Sequence, residues 1–512
     1  MNPPNLKELA EQIAIPVRHL RYLLEQMEWH IPKATVWAFG SRIKWSHRPE
    51  SDLDLAVHCD KETARKDIPK LNDVLQESDL PFKVQILDFN RLPGNMQENI
   101  KKNYLVLYHP QEIPWPSGWK ETTLGKVGKV VTGKTPSKDN PEHWGDLMCF
   151  VTPSDIKNDS KYIYQTERYI SQEGLEAFER MVIPRNSVIV TCIGSDMGKV
   201  VTNSHDCITN QQINSLIINN GEYDRDFVYY RLKDSYSLLR SHADGGSTMP
   251  ILNKSTFESL TFYFPPLPEQ KAIAAILSGF DDKIELLRRQ NKTLESIART
   301  LFRKWFIEEA QADWETVRIG DVVKTNALSI DNDFGLEIIK YLDTSSITEG
   351  EINGVQCLNI KDLPSRAKRI VKHNDILIST VRPDQKHYGI MKRPAENLIV
   401  STGFCVITCD TIDPHYIYIL LTTVEMTEYL HLIAEGTTSA YPSLKPSDIE
   451  KIGFQRPPKE KLCTFSKYAD KAWDKIDNNY SQIQTLSKLR DTLLPKLMRG
   501  EIRVKDIETK VE

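Results

Sequence analysis

Residues 264–309 read FPPLPEQKAIAAILSGFDDKIELLRRQNKTLESIARTLFRKWFIEE. Pro265, Pro266 and Pro268 stop whatever precedes them, because each fixes φ and lacks a backbone donor. Glu269 and Gln270 then fall in the first turn of a helix, where negative charge suits the dipole. Leu277, Phe280, Ile284, Leu287, Leu294, Ala298, Leu301 and Trp305 follow at steps of three and four, with Asn291 in the seam. Such a heptad-like stripe needs a partner helix to cover it. A helix of about 40 residues is roughly 60 Å long at about 1.5 Å per residue. Its other faces are too polar for a membrane span, so it is expected to be a spacer rod.

The search for a partner leads along the chain. A shift of 192 positions places Pro265-Pro266 on Pro457-Pro458 and Asp282-Lys283-Ile284 on Asp474-Lys475-Ile476. It also places Gln290, Thr293, Leu294, Thr300, Leu301 and Lys304 on Gln482, Thr485, Leu486, Thr492, Leu493 and Lys496. Just upstream, Pro250, Leu252, Ser255 and Phe262 fall on Pro442, Leu444, Ser447 and Phe454. Further back the likeness thins, although Asn186–Thr191 resembles Asn374–Ser379 at a slightly smaller shift. The chain is therefore read as two copies of a strand-rich domain, each followed by a long helix. Ala469, Ala472, Ile476, Ile483, Leu486, Leu493 and Leu497 would face the first stripe in an antiparallel pair. The plainer alternative is that each helix covers only its own domain. The pair is preferred because the stripe outruns what one small domain can cover.

The first 110 residues differ in kind. Leu6, Leu9, Ile13, Val17, Leu20 and Leu24 mark an amphipathic helix that Pro16 splits. A short strand, Thr35–Phe39, ends at Gly40-Ser41, and Ser51–Val57 reads as a second strand. Side chains on a strand alternate faces, so Asp52 and Asp54 share one face while Leu53, Leu55 and Val57 face the core. Paired carboxylates on one face suit Mg2+ carrying a nucleotide's phosphates, with Gly40 and Ser41 offering backbone and hydroxyl donors. Gly-Ser followed after ten residues by Asp-x-Asp resembles the minimal nucleotidyltransferase family over about 100 residues. The resemblance implies catalytic and metal-binding roles for Asp52 and Asp54, nucleotide binding at Gly40 and Ser41, and a third carboxylate on a later strand. In Lys83–Asp88 that third position holds Gln85, and Asp88 should face the other way. A degenerate nucleotide-binding or protein-docking module is the expectation, and an active Mg2+-dependent nucleotidyltransferase modifying a protein or nucleic acid is the alternative.

Composition narrows the rest. Hydrophobic content of 40% and charged content of 27% are those of ordinary globular proteins. A formal charge of −4 means that any basic surface must be local. The eight cysteines show no CxxC spacing, which suits free thiols in a reducing compartment. No signal peptide or long apolar run is seen, so a cytoplasmic location with no membrane partner is expected.

A second resemblance covers about 400 residues. Gly133–Ser137, Val151–Ile156, Asn210–Asn214, Pro265–Gln270, Leu294–Ala298 through Trp305-Phe306, and Leu489–Pro495 together resemble the specificity subunit of type I restriction–modification systems. That resemblance implies two target-recognition domains, each reading half of a split site on double-stranded DNA. It further implies two docked methyltransferase subunits that use S-adenosylmethionine on adenine, and ATP-driven restriction (translocase) subunits. The specificity part itself needs no cofactor, and Mg2+ with a nucleoside triphosphate is expected only at the N-terminal domain. Candidate DNA contacts are Lys134 and Lys138 in the first domain, and Arg366, Lys368, Arg382 and Lys386 in the second. Any one such basic run could equally be a solvated face. Asn210-Gln211-Gln212 looks like a base reader but is better read as a structural turn.

The fold class is thus α/β and α+β, multidomain. Residues 1–110 form a nucleotidyltransferase-like domain and 111–118 a linker. Residues 119–263 form target-recognition domain 1, 264–312 the central spacer helix, 313–456 domain 2, and 457–512 the C-terminal spacer helix and tail. Three motif matches are set aside. Gly128–Thr135 fits a phosphate loop literally, but Pro136 follows at once and no helix pattern opens. Asn2–Asn5 lacks the aromatic residue of an adenine methylase motif, and Pro383–Lys386 lacks the second acid of a nuclease motif.

Overall fold

The computed structural model describes residues 9–10, 12–43, 51–78, 80–108, 116, 118–157, 159–194, 196–218, 221–241, 251–330, 335–436 and 443–504. Leu6, the Asn2–Asn5 tetrapeptide, Pro250, Pro442 and most of the 111–118 linker lie outside them. The chain divides into two compact units, Met1–Ala274 with Lys496–Glu512, and Ala275–Pro495. The division falls inside both long helices.

In the first unit, the N-terminal domain is a four-stranded sheet, β1 (Thr35–Phe39), β2 (Leu53–His58), β3 (Val84–Asp88) and β4 (Leu105–Tyr108), in the order β3-β2-β1-β4. β2 and β3 run parallel, joined through helix α2 (Lys61–Gln76), while β1 is antiparallel to both neighbours. The expected break at Pro16 is there: Ala14 takes φ +51° and α1 (Val17–His30) starts directly after the proline. Leu20, Leu23 and Met27 of α1 bury completely against Val36, Leu53 and Leu55. A third helix, α3 (Gly94–Lys102), precedes β4.

The first strand-rich domain holds β5 (Lys120–Thr123), β6 (Lys129–Thr132), β7 (Met148–Val151), β8 (Arg168–Ile170), β9 (Val188–Thr191), β10 (Val200–Asn203), β11 (Cys207–Thr209), β12 (Ile213–Ile217), helix α4 (Arg225–Asp234) and β13 (Thr261–Phe264). One sheet runs β6-β12-β9-β10 and ends on Tyr162–Ile163; a second runs β11-β7-β8 and ends on Trp144–Gly145; β13 pairs with β5. The long helix α5 (Leu267–Arg303) starts where the prolines stop β13. Gln270, 1% exposed, latches that start: its amide donates to the Pro265 carbonyl at 2.8 Å and accepts from the Asp224 amide at 2.9 Å. Arg231 of α4 donates to the Met498 carbonyl at 2.9 Å, and Arg499 lies 3.3 Å from Glu28 of α1.

In the second unit the same plan recurs with β14 (Thr316–Arg318), β15 (Val323–Thr325), β16 (Ile338–Leu342), β17 (Gln356–Asn359), β18 (Ala367–Ile370), β19 (Ile376–Ser379), β20 (Tyr388–Ile390), β21 (Leu398–Ser401), β22 (Phe404–Cys409), helices α6 (Pro414–Leu421) and α7 (Val424–Glu435), and β23 (Gly453–Gln455). Its sheets run β15-β22-β19-β20 and β17-β16-β21-β18, with β14 paired to β23. Strand for strand, the first of these matches β6-β12-β9-β10. Small signs agree: Asn186 and Asn374 take φ +63° and +68° just before β9 and β19. Gly125 and Gly320 are held at equal places too, since a Cβ would stand 3.3 Å from Glu258 and 3.0 Å from Glu450.

The partner helix is α8 (Lys459–Met498), and within the second unit it pairs antiparallel with α5. Ala298, Phe302 and Phe306 pack with Phe465, Ala469 and Trp473 in one core; Ile284 and Leu287 meet Ile483. The seam differs in detail from the predicted stripe. It runs from Ala298 to Phe302 and Phe306 in steps of four, leaving Leu301 and Trp305 half-buried, and the chain turns π-helical at Lys304–Glu308. Two polar pairs interrupt it. Asn479 Nδ2 donates to Asn291 Oδ1 at 2.7 Å, and Arg490 Nη1 lies 2.5 Å from Asp281 Oδ1. Among the described residues no single helix is long and apolar enough to cross a membrane.

Candidate functional site

At the end of β1, Gly40 takes φ +87°, and a Cβ there would stand 2.2 Å from Asp54 Oδ2. Only glycine lets the Asp54 carboxylate lie against this backbone. Asp54 pairs with Phe39 on one side and Gln85 on the other, so the sheet brings Gly40, Asp54 and Gln85 together. Asp52 is exposed just before β2, and Ser41 sits in the turn after Gly40. Asp88 pairs with Val57 at the far end of β3, caps the following turn through the Asn90 amide and contacts Arg91. It is not a third carboxylate of this site.

Burial, and then the neighbouring Asp52, push the Asp54 carboxyl above its ordinary range. A divalent cation would reverse that penalty, and two carboxylates with an amide oxygen alongside are hard donors of the kind Mg2+ takes. The set fits the ion in kind but supplies one negative charge fewer than three carboxylates would. Among the described residues no group of three or more His, Cys, Asp or Glu is placed to hold a metal.

Arg42 was missed by sequence reasoning. It is 3% exposed, donates to the Ser51 carbonyl at 3.0 and 2.7 Å and to the Ala14 carbonyl at 3.0 Å, and stacks on Phe82. It thereby fixes the approach to Asp52. Its place directly after Gly-Ser was the available signal.

In the first strand-rich domain, Lys134 and Lys138 are exposed on the loop after β6. That loop nests on the turn between β11 and β12: a Cβ on Gly133 would meet the Thr209 carbonyl at 2.2 Å, and Thr135 donates to Gln211 Oε1 at 2.6 Å. Asn210 Oδ1 accepts from the Gln212 amide at 3.0 Å, so its side chain builds the turn. No α-helix follows Gly133-Lys134-Thr135, only a short turn at Pro141–His143, which disposes of the phosphate-loop match.

In the second domain, Arg366 and Lys368 are exposed at β18, the edge of its sheet, and Arg382 and Lys386 are exposed on the loop between β19 and β20. Both segments are tied to one turn, because Arg366 O accepts from Thr402 N at 2.7 Å and Gly403 O accepts from Thr380 N at 2.8 Å. The turn between β21 and β22 thus anchors the start of β18 and the start of the loop between β19 and β20.

Comparison with known proteins decides the family. The type I restriction modification DNA specificity domain matches twice, over residues 116–296 and 311–493. The chain belongs to this specificity family. The two matches repeat the internal duplication seen in the fold. Residues 30–113 match the polymerase beta nucleotidyltransferase family. Among curated relatives, the type I restriction enzyme MjaIX specificity subunit of Methanocaldococcus jannaschii is 29% identical over 429 residues, 77% of this chain and 98% of that one. The probable protein adenylyltransferase MntA of Haemophilus influenzae is 34% identical over 103 residues, 20% of this chain and 84% of that protein. The N-terminal domain accordingly belongs to the nucleotidyltransferase family. The solved S subunit of a type I restriction–modification system from M. genitalium aligns with a TM-score of 0.47 at 18% identity, covering 74% of this chain and 96% of that one.

Proposed function

We propose that this specificity-family chain reads a bipartite sequence on double-stranded DNA, one half per strand-rich domain, and directs adenine methylation there. The paired helices α5 and α8 are the spacer between the half-readers and the dock for two methyltransferase subunits, which bring S-adenosylmethionine. Restriction subunits that use ATP complete the complex, which acts in the cytoplasm. The observation that carries this reading is the duplication: two domains on one plan, each followed by a long helix, with exposed basic residues on loops of both. Lys134, Lys138, Arg366, Lys368, Arg382 and Lys386 are proposed to contact DNA, phosphate contacts positioning each domain. Co-expression with the methyltransferase subunit should yield N6-methyladenine at one split sequence when the host genome is sequenced for methylation. Scattered methylation, or no complex, would overturn it.

For the N-terminal domain we propose a nucleotide-binding module in which Asp52 and Asp54 hold Mg2+ and Gly40 and Ser41 receive the nucleotide's phosphates. Bound Mg2+ would supply charge neutralisation there. The amide at Gln85 leaves the site short of the negative charge that nucleotidyl transfer draws on. Asp52→Ala/Asp54→Ala should abolish Mg-ATP binding in calorimetry. Label transfer from ATP by the wild type, lost in the double variant, would instead establish an active nucleotidyltransferase. The same carboxylate has a signature in stability. Its folded pKa is raised, so its ionised form is penalised above that pKa and the penalty fades as pH falls through it. Asp54→Asn in Mg2+-free buffer should therefore melt higher than wild type at pH 7, with the gap closing towards pH 4. An equal gap at both would assign the effect to something other than this charge.

A further inference from the structure

The two strand-rich domains share a sheet frame and differ at one point on it. Cys192 N donates to the Gln212 carbonyl at 2.7 Å, as Thr380 N donates to the Gly403 carbonyl at 2.8 Å, so the two turns correspond. Counting back four positions from Gln212 and Gly403 reaches Ile208 and Ile399, which pair in parallel with Phe150 and Tyr341. Across the next, antiparallel pairing stand Arg168 of β8 and Gln356 of β17, both exposed. The inner positions of the frame stay isoleucine and aromatic. Its outer position carries a guanidinium in one domain and an amide in the other.

In the first domain that guanidinium is held by a ring. Arg168 Cζ lies 3.3 Å from the centre of the Trp144 ring and 5.8 Å from that of Phe150. Trp144 in turn meets Phe150 edge-on, ring centres 4.9 Å apart, and Phe150 is 1% exposed. Arg168 is thus fixed through Trp144 to the domain core. Among the described residues its N–H groups make no hydrogen bond or ion pair. Arg168 lines an open cavity of about 410 Å³ together with Ser154, Asp155, Glu167, Asp196 and Gln212. Asp155 is engaged in the wall, accepting from the Thr152 and Glu167 amides at 2.8 and 2.9 Å, and Asp196 lies 2.6 Å from Lys199. The basic loop after β6 runs alongside: Lys134 N donates to the carbonyl of Thr209, just before the turn that supplies Gln212, at 2.9 Å.

We propose that Arg168 reads a guanine in the half-site bound by the first domain, with Trp144 as its positioning residue. The inference rests on the DNA-reading function above and assigns a reader within it. A guanidinium fork donates to O6 and N7 of guanine together, a match that a point charge lacks. Phosphate is the other partner an arginine takes at a DNA surface, and the cavity argues against it. Three carboxylates, Asp155, Glu167 and Asp196, line the same walls and repel an anion. Phosphates fall instead to Lys134 and Lys138 on the loop alongside. Stacking on Trp144 leaves the fork's edge open and restricts its rotamers, so little ordering is left to oppose contact. Gln356 at the corresponding point of the second domain fits a reading position, since an amide matches N6 and N7 of adenine.

The test compares the sequences methylated by the complete complex carrying wild-type chain, Arg168→Ala, Arg168→Lys or Trp144→Leu. Arg168→Ala should relax one G·C position in one half-site, discrimination there falling roughly tenfold or more, with the other half-site unchanged. Arg168→Lys keeps the charge and loses the fork, so it should relax that same position while binding keeps the wild-type salt dependence. Trp144→Leu should relax the same position partway, the other bases of that half-site still being demanded. Uniform weakening of the half-site would make Trp144 a core residue only and overturn its positioning role. An assembled Arg168→Ala complex with wild-type specificity overturns the assignment, and so does Arg168→Lys with wild-type specificity, a variant that keeps a long stem on Trp144. Equal loss on every sequence with a shallower salt dependence overturns it too, making Arg168 a phosphate contact. A wild-type complex with no split site at all overturns the function on which the assignment rests, a result separable from the Arg168 variants.

Discussion

Asp281→Ala is expected to destabilise the unit spanning Ala275–Pro495 by about 3–5 kcal/mol, because it strands the buried Arg490 guanidinium. The two side chains are only 4% and 7% exposed, so the arginine cannot swing into water to recover its hydration. Asp491, 2.8 Å from the other terminal nitrogen, is 60% exposed and offers partial screening. The ion pair is not itself a large source of stability, since burying both charges costs much of what their attraction returns. The double variant Asp281→Ala/Arg490→Met should therefore recover most of the loss, and a double-mutant cycle in urea separates the two terms. A single variant within about 0.5 kcal/mol of wild type would show that the seam tolerates a lone charge.

That ion pair also marks where reading the sequence stopped short. The α5 stripe was legible because apolar residues recur at helical spacing over many turns, and its partner was legible because the repeat shift is gapless across both helices. Asp281 and Arg490 break the apolar pattern, and an acid or base at such a position reads as exposed until its counterpart is placed in space. Asn291 was identifiable as a seam position from its own helix; Asn479, fully buried opposite it, became visible only with the register. Gln270 read as a first-turn polar residue, yet it is a buried latch, because besides Pro265 it bonds Asp224 and Glu222, 46 and 48 positions away. In the N-terminal domain the Gly-Ser and Asp-x-Asp spacing singled out Gly40 and Asp54, which the fold sets against each other, and strand pairing puts Gln85 beside Asp54.

Removing seven residues from each helix, Asp282–Arg288 and Gln482–Lys488, is expected to shorten the gap in the recognised site. Seven residues are about 10 Å of helix, or roughly 3 base pairs at about 3.4 Å each. Seven is also nearly two full turns, so the remaining faces keep their orientation to within about 20°. Both deletions lie between the polar contacts, leaving Asp281 to meet Arg490 and Asn291 to meet Asn479 in the shortened pair. The loss of Ile284, Leu287, Ile483 and Leu486 lowers stability, but the specific contacts that set the register survive. Deleting seven residues from one helix alone is the informative control. It throws one polar contact out of register whichever way the other is kept, leaving a buried charge or amide unmatched, and should sharply reduce assembly. Methylation sequencing of the double-deletion complex decides the matter: both half-sites retained around a shorter gap supports the spacer role of α5 and α8, and an unchanged gap means that something other than their length sets the distance.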